Sequence, residues 1–302
     1  MARARSPKPT RTTNGCPSPT LSRPPSFICG WRKRSVAFER IGPDRVRAIR
    51  DRSREVLMRI SSRVHMVGSG RHGLQMTHLI DCNVYLLDGG SECALIDAGG
   101  GVEPERIEAN IAAAGISPQR ITKLLLTHAH GDHAAGARHF HDRYGAELIV
   151  AAEAAPWMES GDMEKNSLLA AIEAGVYPRD YRFPACPVGR AVAEGDIIRV
   201  GELELAVLET PGHSRGHVSY MWDGEDGRAI FAGDVIFAGG KVVLQSTWDC
   251  SIQEYAATTA KLHALGIDAL YAGHGAPVLR EAHRHIGRAH ECFRNLDLPP
   301  NL

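Results

Sequence analysis

Four residues able to bind a metal ion lie within six positions of the sequence: His128, His130, Asp132 and His133. They follow an aliphatic run in the segment LLLTHAHGDHAAG, residues 124–136. Imidazole nitrogens and a carboxylate are suitable ligands for zinc, iron, manganese or cobalt. On an extended segment, residues two apart face the same side, so His128 and His130 can face one ion. Asp132 and His133, at the turn into a helix, can face a second. A polar surface loop is the alternative interpretation.

Three later apolar runs end in segments of the same kind. They are followed by TPGHS, AGD and AGHG, which contribute His213, Asp234 and His274. Glycine beside each residue lets the backbone turn sharply and approach a compact group. Strands that run the same way in one sheet bring their ends to the same edge, so we expect all four segments to meet. Seven nitrogen and oxygen donors exceed the needs of one tetrahedral ion and match two ions sharing a bridging carboxylate.

The elements that must position these residues are strands and helices in mixed order. NVYLL (83–87) and CALID (93–97) predict a hairpin, and PERIEANIAAAG (104–115) predicts a helix with Pro near its start and Gly at its end. Strands in hairpins followed by alternating strands and helices predict a layered α+β fold. Further strands are predicted at 121–127 and 146–152 and in IIRV, LELAVLET, HVSYMWD, RAIFAGD and DALYAGHG, and further helices at 133–145, 251–266 and 279–296, with two in 153–190.

The net charge of the 302 residues is zero, but a basic N-terminal segment, the basic head, precedes an acidic domain. Residues 1–60 hold 15 Lys/Arg and 4 Asp/Glu. Residues 1–57 are also rich in Pro, Ser and Arg, so we predict that they are largely disordered and that residues 58–302 form the globular domain. We favour a wrongly assigned start, with Met58 or Met66 as the true one. An organelle-targeting presequence and a nucleic-acid-binding tail are the alternatives, and nucleic acid is the weaker expectation.

Several classes of protein are excluded by what the sequence lacks. No run approaches the roughly 20 apolar residues that span a bilayer, and no secretory signal is recognisable. The seven cysteines form no CxxC pair, which argues against a disulfide framework and a cysteine-based zinc site. We therefore expect a cytoplasmic protein with a small-molecule substrate and no membrane partner. A homo-oligomer is compatible with the sequence.

THAHGDH together with TPGHS, FAGD and AGHG resembles the metallo-β-lactamase superfamily. The resemblance covers about residues 60–280. It implies an α+β fold of four αββα layers, with two divalent metal ions at one edge of the two sheets. Zinc is the first expectation, and iron or manganese are alternatives. It further implies that His128, His130 and His213 hold the first ion and that Asp132, His133 and His274 hold the second, with Asp234 bridging.

Two neighbouring metal ions can share a hydroxide, lower its pKa toward neutral and polarise a substrate carbonyl. The expected reaction is attack by that hydroxide on an ester, thioester or lactone. Asp132 is the expected catalytic residue, which orients the nucleophile and carries its proton to the leaving group. No GxSxG is present to supply a serine nucleophile.

Departures from the family pattern narrow the substrate. Asp234 argues against a true β-lactamase, because such members usually carry Cys there or lack the ligand. Phe237 stands about where homoserine lactonases place a tyrosine. FAGDVIFAGG resembles hydroxyacylglutathione hydrolases, but with only 28 residues after His274 we do not expect a full glutathione site. The best candidate for a substrate wall is 153–190, and a helix pair that merely covers the sheet is the alternative.

Two other functions remain open. A mononuclear-iron persulfide dioxygenase would share the motif but use two His and one Asp, leaving His133 and His274 as supporting residues. A non-catalytic, metal-bearing binding module is the third hypothesis, and the complete ligand set argues against it. His217 is expected to support the site by hydrogen bonding rather than to bind metal.

Overall fold

The computed structural model describes residues 59–224 and 227–302. The predictions for the basic head, residues 1–57, and for a start at Met58 therefore lie outside the described residues. No helix in the described part of the chain is long and apolar enough to cross a membrane.

Six strands form the first sheet, in which spatial order follows chain order. They are β1 (Val64–Gly68), β2 (Val84–Asp88), β3 (Cys93–Ile96), β4 (Ile121–Leu125), β5 (Glu147–Ala151) and β6 (Arg190–Val192). β1, β2 and β3 pair antiparallel, as a meander does, and β3 to β6 pair parallel. The parallel half is where connections must cross over, and helices fill those connections.

Five strands form the second sheet, in the order β11-β10-β9-β8-β7. They are β7 (Ile197–Val200), β8 (Leu203–Glu209), β9 (Val218–Gly224), β10 (Gly227–Gly233) and β11 (Ala269–Ala272). β7 to β10 pair antiparallel, and β11 pairs parallel with β10. It follows that β8, β10 and β11 all run in the same direction and end at the same edge.

Seven α-helices occur in the described residues. They are α1 (Pro104–Ala113), α2 (Gly131–Ala134), α3 (Ala137–Tyr144), α4 (Ala155–Ser160), α5 (Leu168–Glu173), α6 (Ile252–Ala264) and α7 (Ala282–Arg294), with a short 3-10 helix at Pro118–Arg120. α1 contacts β1, and α3 contacts β4 and β5. α6 and α7 pack with the second sheet in a separate apolar cluster that includes Tyr255 and Ile286.

The main core lies between the two sheets. Tyr85 of β2 reaches across to Phe231 of β10 and Tyr271 of β11, with ring centroids 5.6 Å apart in both pairs. All three residues belong to one buried cluster that joins both sheets. The order of layers is therefore helices, sheet, sheet, helices, and the predicted four-layer α+β sandwich is confirmed.

Two details of the prediction were wrong. The single helix predicted at 133–145 is two helices, α2 and α3, separated by Gly136. A Cβ on Gly136 would lie 2.0 Å from the carbonyl oxygen of Ala98, so the chain passes too close there for a side chain. The four ligand-bearing strand ends come from both sheets rather than one, because β4 belongs to the first sheet and the other three to the second. Strands β1 and β6 were not predicted.

Candidate metal centre

The segments after β4, β8, β10 and β11 meet at one edge of the sandwich. They bring all seven predicted ligands into three overlapping groups, in each of which one ligand atom per residue lies within 4.8 Å of the others. The groups are His128, His130 and His213; His128, His133 and Asp234; and Asp132, His133 and His274. A fourth such group contains Cys82 and Asp97 with His133.

Three imidazoles form the first group. His130 Nδ1 lies 2.9 Å from His213 Nε2, and the ring of His128 lies 4.6 Å from that of His130, centroid to centroid. The Nε2 atom of His128 is buried and has no hydrogen-bond partner. The three nitrogens face one another without a carboxylate between them, which is the arrangement expected of ligands around one cation.

The other nitrogen of each imidazole in this group is held by the protein. His128 Nδ1 lies 3.0 Å from Thr127 Oγ1, and His213 Nδ1 donates to the carbonyl of Val243 at 3.1 Å. His130 uses Nε2, which lies 3.1 Å from a carboxylate oxygen of Asp249. Such bonds fix the tautomer and orientation of a ligating histidine. The remaining nitrogens, Nε2 of His128, Nε2 of His213 and Nδ1 of His130, therefore point toward one another.

The second group mixes imidazoles with carboxylates. His274 Nε2 lies 3.2 Å from Asp132 Oδ2 and 3.3 Å from Asp234 Oδ2. His133 Nε2 lies 3.3 Å from Asp234 Oδ1. Asp234 Oδ2 is also 3.6 Å from Nε2 of His213 in the first group. The carboxylate of Asp234 therefore lies between the two groups and contacts both.

The donor set fits bound cations. Six buried side-chain nitrogen or oxygen atoms of the described residues lack a hydrogen-bond partner, and three of them are His128 Nε2, His133 Nε2 and Asp234 Oδ1. Each such atom costs about 1–3 kcal/mol when nothing binds it. Gly273 completes the cradle, since a Cβ there would lie 2.2 Å from Asp234 Oδ1 and 2.6 Å from His133 Cε1.

The electrostatics differ between the two groups. Burial, assisted by neighbouring imidazoles, holds the pKa of His128 well below its ordinary value and lowers the pKa of His213 to about 4. Both rings are therefore neutral at pH 7, which is the form that binds a metal. Burial would also lower the pKa of His274, but the carboxylates of Asp234 and Asp132 raise it to about 9. A cation at this position must displace a proton.

Two supporting carboxylates were not predicted from the sequence. Asp97, at the end of β3, accepts from His133 Nδ1 at 2.8 Å and from the backbone N–H of Thr127 at 2.8 Å. Asp249 is 1% exposed and accepts from Ser167 Oγ at 2.6 Å and Ser214 Oγ at 2.8 Å. Asp97 could have been found from the sequence, because it follows an apolar strand and precedes the glycine-rich segment AGGG, as the ligands follow strands in glycine-containing segments. Asp249 lies in an irregular loop, and no sequence pattern marks it.

His217 has the supporting role that was predicted. Its Nε2 accepts from the backbone N–H of Asp234 at 3.2 Å, and its Nδ1 lies 2.8 Å from Thr210 Oγ1. The ring also stacks on His128, with centroids 5.0 Å apart. His217 thus fixes the backbone that presents Asp234.

A cavity of about 420 Å³ opens over the centre. It is lined by five of the seven candidate ligands, by α5, and by the loop around 243–247. The segment predicted as a substrate wall, 153–190, has one part in the core and one part at the cavity. Trp157 and Met158 of α4 are buried in the core, as in the covering-helix alternative, whereas α5 and Tyr177 face the cavity. Tyr177 Oη donates to Asp132 Oδ1 at 2.8 Å.

Asp249 offers a test that does not depend on activity. In Asp249→Ala, the Nε2 of His130 loses its acceptor, so the ring is no longer fixed with Nδ1 toward His213. We expect zinc affinity to fall by about 10- to 100-fold, the usual effect of losing such a partner. A competition titration with a chromogenic chelator measures it. The matched control is Asp142→Ala, because Asp142 is an exposed carboxylate paired with Arg138; equal affinities in the two variants would contradict this role.

Comparison with known proteins gives the same family by three routes. Residues 79–274 match the metallo-β-lactamase superfamily model. The chain is 31% identical to the probable metallo-hydrolase YqgX of Bacillus subtilis over 162 residues, 53% of this chain and 69% of that protein. It resembles the crystal structure of a subclass B3 metallo-β-lactamase of Bradyrhizobium japonicum, at 28% identity and a TM-score of 0.58, covering 71% of this chain and 86% of that one.

Two further relatives have more specific names. The chain is 32% identical to a hydroxyacylglutathione hydrolase of Rhodopseudomonas palustris, over 43% of this chain and 40% of that protein. It is 30% identical to the atrochrysone carboxyl ACP thioesterase of Aspergillus fumigatus, over 72% of this chain and 58% of that protein. The matches thus span only about half of these two relatives. The chain belongs to the metallo-β-lactamase superfamily of metallo-hydrolases, which bind divalent metal ions, typically zinc.

Proposed function

We propose that this chain hydrolyses ester-type bonds, in an ester, thioester or lactone, with the help of two divalent metal ions. The observation that carries the proposal is the position of Asp234. Its carboxylate lies 3.6 Å from His213 Nε2 on one side and 3.3 Å from His133 Nε2 and His274 Nε2 on the other. A carboxylate that lies close to imidazole nitrogens of both groups is well placed to be a ligand shared by two metal ions. His128, His130 and His213 would hold one ion, and Asp132, His133 and His274 the other.

The names of the relatives support the choice of bond. One relative is named a thioesterase and another a hydrolase of hydroxyacylglutathione. Bound metal ions would supply an activated water and a Lewis acid for the acyl oxygen. The rest of the chemistry comes from side chains of this chain.

Asp132 is suited to the role of proton carrier. Burial would raise the pKa of its carboxyl, but His133 and His274 lower it below its usual value, so the group is ionised at pH 7. Oδ1 accepts a hydrogen bond from Tyr177 Oη, which aims Oδ2 toward His274. An ionised carboxylate held in this way can take the proton of an attacking water and deliver it to the leaving group.

The iron dioxygenase hypothesis is less well supported. It requires His133 and His274 to be supporting residues, yet His133 Nε2 is buried without a hydrogen-bond partner and faces Asp234. A free buried nitrogen in this place suits a ligand better than a supporting group. A cytoplasmic location and a homo-oligomer stay predictions, as does the absence of a nucleic-acid partner.

A hydrolase panel tests the proposal. The purified chain, loaded in turn with zinc, manganese and iron, is assayed with thioesters, lactones and phosphodiesters, and oxygen uptake is followed with a persulfide. We expect hydrolysis of a thioester or lactone that stops on chelation and returns with metal. Failure on every ester-type substrate with any metal would refute the proposal. Oxygen consumption with one iron per chain would establish the dioxygenase instead.

A further inference from the structure

The wall of the cavity beside the metal centre is largely apolar. α5 and the residues after it turn small or aliphatic side chains toward the cavity, and Val243 faces it from another loop. Helical positions three or four apart share one face, so these side chains form a continuous surface. The residues of this apolar wall are Leu168, Ala170 and Ala171 of α5 and Ala174 and Val176, which follow it. A surface of this kind suits an alkyl chain.

Two polar atoms in the same cavity have no partner. Asn166 is 1% exposed, and its Oδ1 accepts from the backbone N–H of Leu168 at 3.2 Å, which fixes the amide and leaves Nδ2 unpaired. Thr247 Oγ1 is buried and also unpaired. Both residues line the cavity. Unsatisfied buried polar atoms are rare in folded proteins, and oxygen atoms of a ligand would satisfy them.

The backbone next to Asn166 is held in a strained conformation. Ser167 has a positive φ of 58°, in a region that disfavours side chains other than glycine. Its Oγ donates to Asp249 at 2.6 Å, and Asp249 also holds His130. Strain of this kind persists where the surroundings impose it and is concentrated at functional sites. The position of Asn166 is thus coupled to the candidate metal centre.

No Lys or Arg is found among the described residues that line the cavity. Lys165 and Arg215 lie instead over the ring of Trp248, at 5.1 and 5.8 Å from its centroid, and do not contribute to the lining. His72, which contacts the ring of His274 edge-on, is the remaining lining residue outside the candidate ligands that can become positive. A carboxylate buried in this cavity away from the metal ions would have no permanent cation to pair with.

We propose that this cavity selects acyl thioesters that carry no charge. The alkyl chain would lie against α5, and a neutral oxygen of the substrate, such as an amide carbonyl of the thiol part, would accept from Asn166 Nδ2 and Thr247 Oγ1. During hydrolysis the oxygen of water bonds to the acyl carbon, the carbon–sulfur bond breaks, and the thiol leaves with a proton. The inference rests on the proposed hydrolase function and specifies its substrate class.

A pair of substrates that differ by one carboxylate tests the selection. S-Butanoyl-N-acetylcysteamine is neutral, and S-butanoyl-N-acetylcysteine is the same thioester with one carboxylate added. With the zinc-loaded chain we expect kcat/KM to be at least about tenfold higher for the neutral thioester. Equal values, or a preference for the carboxylate, would overturn the selection and leave the hydrolase function standing. If lactones are hydrolysed but neither thioester is, the selection is again overturned and the hydrolase function stands. If no ester-type substrate is hydrolysed, the proposed function is refuted as well.

Substitutions on the apolar wall and at Asn166 test whether this part of the cavity causes the preference for the neutral thioester. Ala170→Arg, on α5, and Ala174→Arg, directly after it, each place a cation on this wall and should reduce or reverse the preference. Ala113→Arg, at an exposed position of α1, is the matched control and should leave it unchanged. Asn166→Ala should raise KM for the neutral thioester about tenfold, with zinc content unchanged. An unaltered preference in both the Ala170→Arg and the Ala174→Arg variants, together with an unaltered KM in Asn166→Ala, would contradict the assignment of this wall.

Discussion

Replacing Asp132 by alanine is expected to lower kcat for the hydrolysed ester or thioester by on the order of a thousandfold, within the range of positioned acid–base groups. The variant removes the carboxylate that contacts His274 Nε2 at 3.2 Å and leaves Tyr177 Oη without its acceptor. Both a candidate metal ligand and the candidate proton carrier are lost at once. Steady-state kinetics with the metal-loaded variant measure the effect.

Asp142→Ala is the control for this experiment as well. Asp142 lies ten positions further along on α3, is exposed, and forms an i,i+4 pair with Arg138 at 2.7 Å. Solvent screens such an exposed pair, so its removal should leave both stability and kcat essentially unchanged. Turnover near the wild-type rate in Asp132→Ala would rule out the role given to this carboxylate.

Gly273→Ala should be nearly as damaging, although glycine offers no ligand. The added Cβ would lie 2.2 Å from Asp234 Oδ1 and 2.6 Å from His133 Cε1, so the carboxylate proposed as the bridge and a candidate ligand of the second ion must both move. We expect the variant to bind fewer than two zinc ions per chain and to lose at least about a hundredfold in kcat/KM, as misplacement of a catalytic group by about 1 Å does. Zinc analysis after gel filtration, paired with kinetics, measures both effects.

Gly287→Ala is the matched glycine control. Gly287 lies within α7, thirteen positions after the last candidate ligand, His274, and a Cβ there would meet His263 Cε1 at 3.3 Å. Alanine is favoured over glycine in a helix by about 1 kcal/mol, which offsets a tight contact. This variant should therefore keep its zinc and its activity. Two zinc ions and normal kinetics in Gly273→Ala would show that Gly273 is not packed closely against Asp234 and His133.

Much of the site could be predicted because a short sequence pattern marks the candidate ligands. Each group of candidate ligands follows a buried strand in a short segment that contains a glycine, and this recurrence indicated which side chains would meet. Asp97 follows β3 in a similar segment, DAGGG, and was interpreted only as the end of the predicted strand CALID. Asp249 could not be found in this way. Its partner His130 is 119 positions away, and only the folded chain brings them together.

The limits of prediction for the fold have a similar cause. Local pattern shows that a segment is a strand but does not show which of two sheets it joins, so β4 and β8 were expected in one sheet. Aromatic residues at helical spacing do not distinguish a core from a wall. Trp157 packs in the core, whereas Tyr177 faces the cavity and donates to Asp132. That difference depends on tertiary packing, which overrides local preference.

The number of metal ions bound per chain tests the central claim most directly. The purified protein is stripped with a chelator, titrated with zinc, freed of excess by gel filtration and analysed for metal by mass spectrometry. A centre in which Asp234 links two groups of donors predicts two zinc ions per chain. One ion per chain, with His133 and His274 replaceable by alanine without loss of that ion, would contradict it.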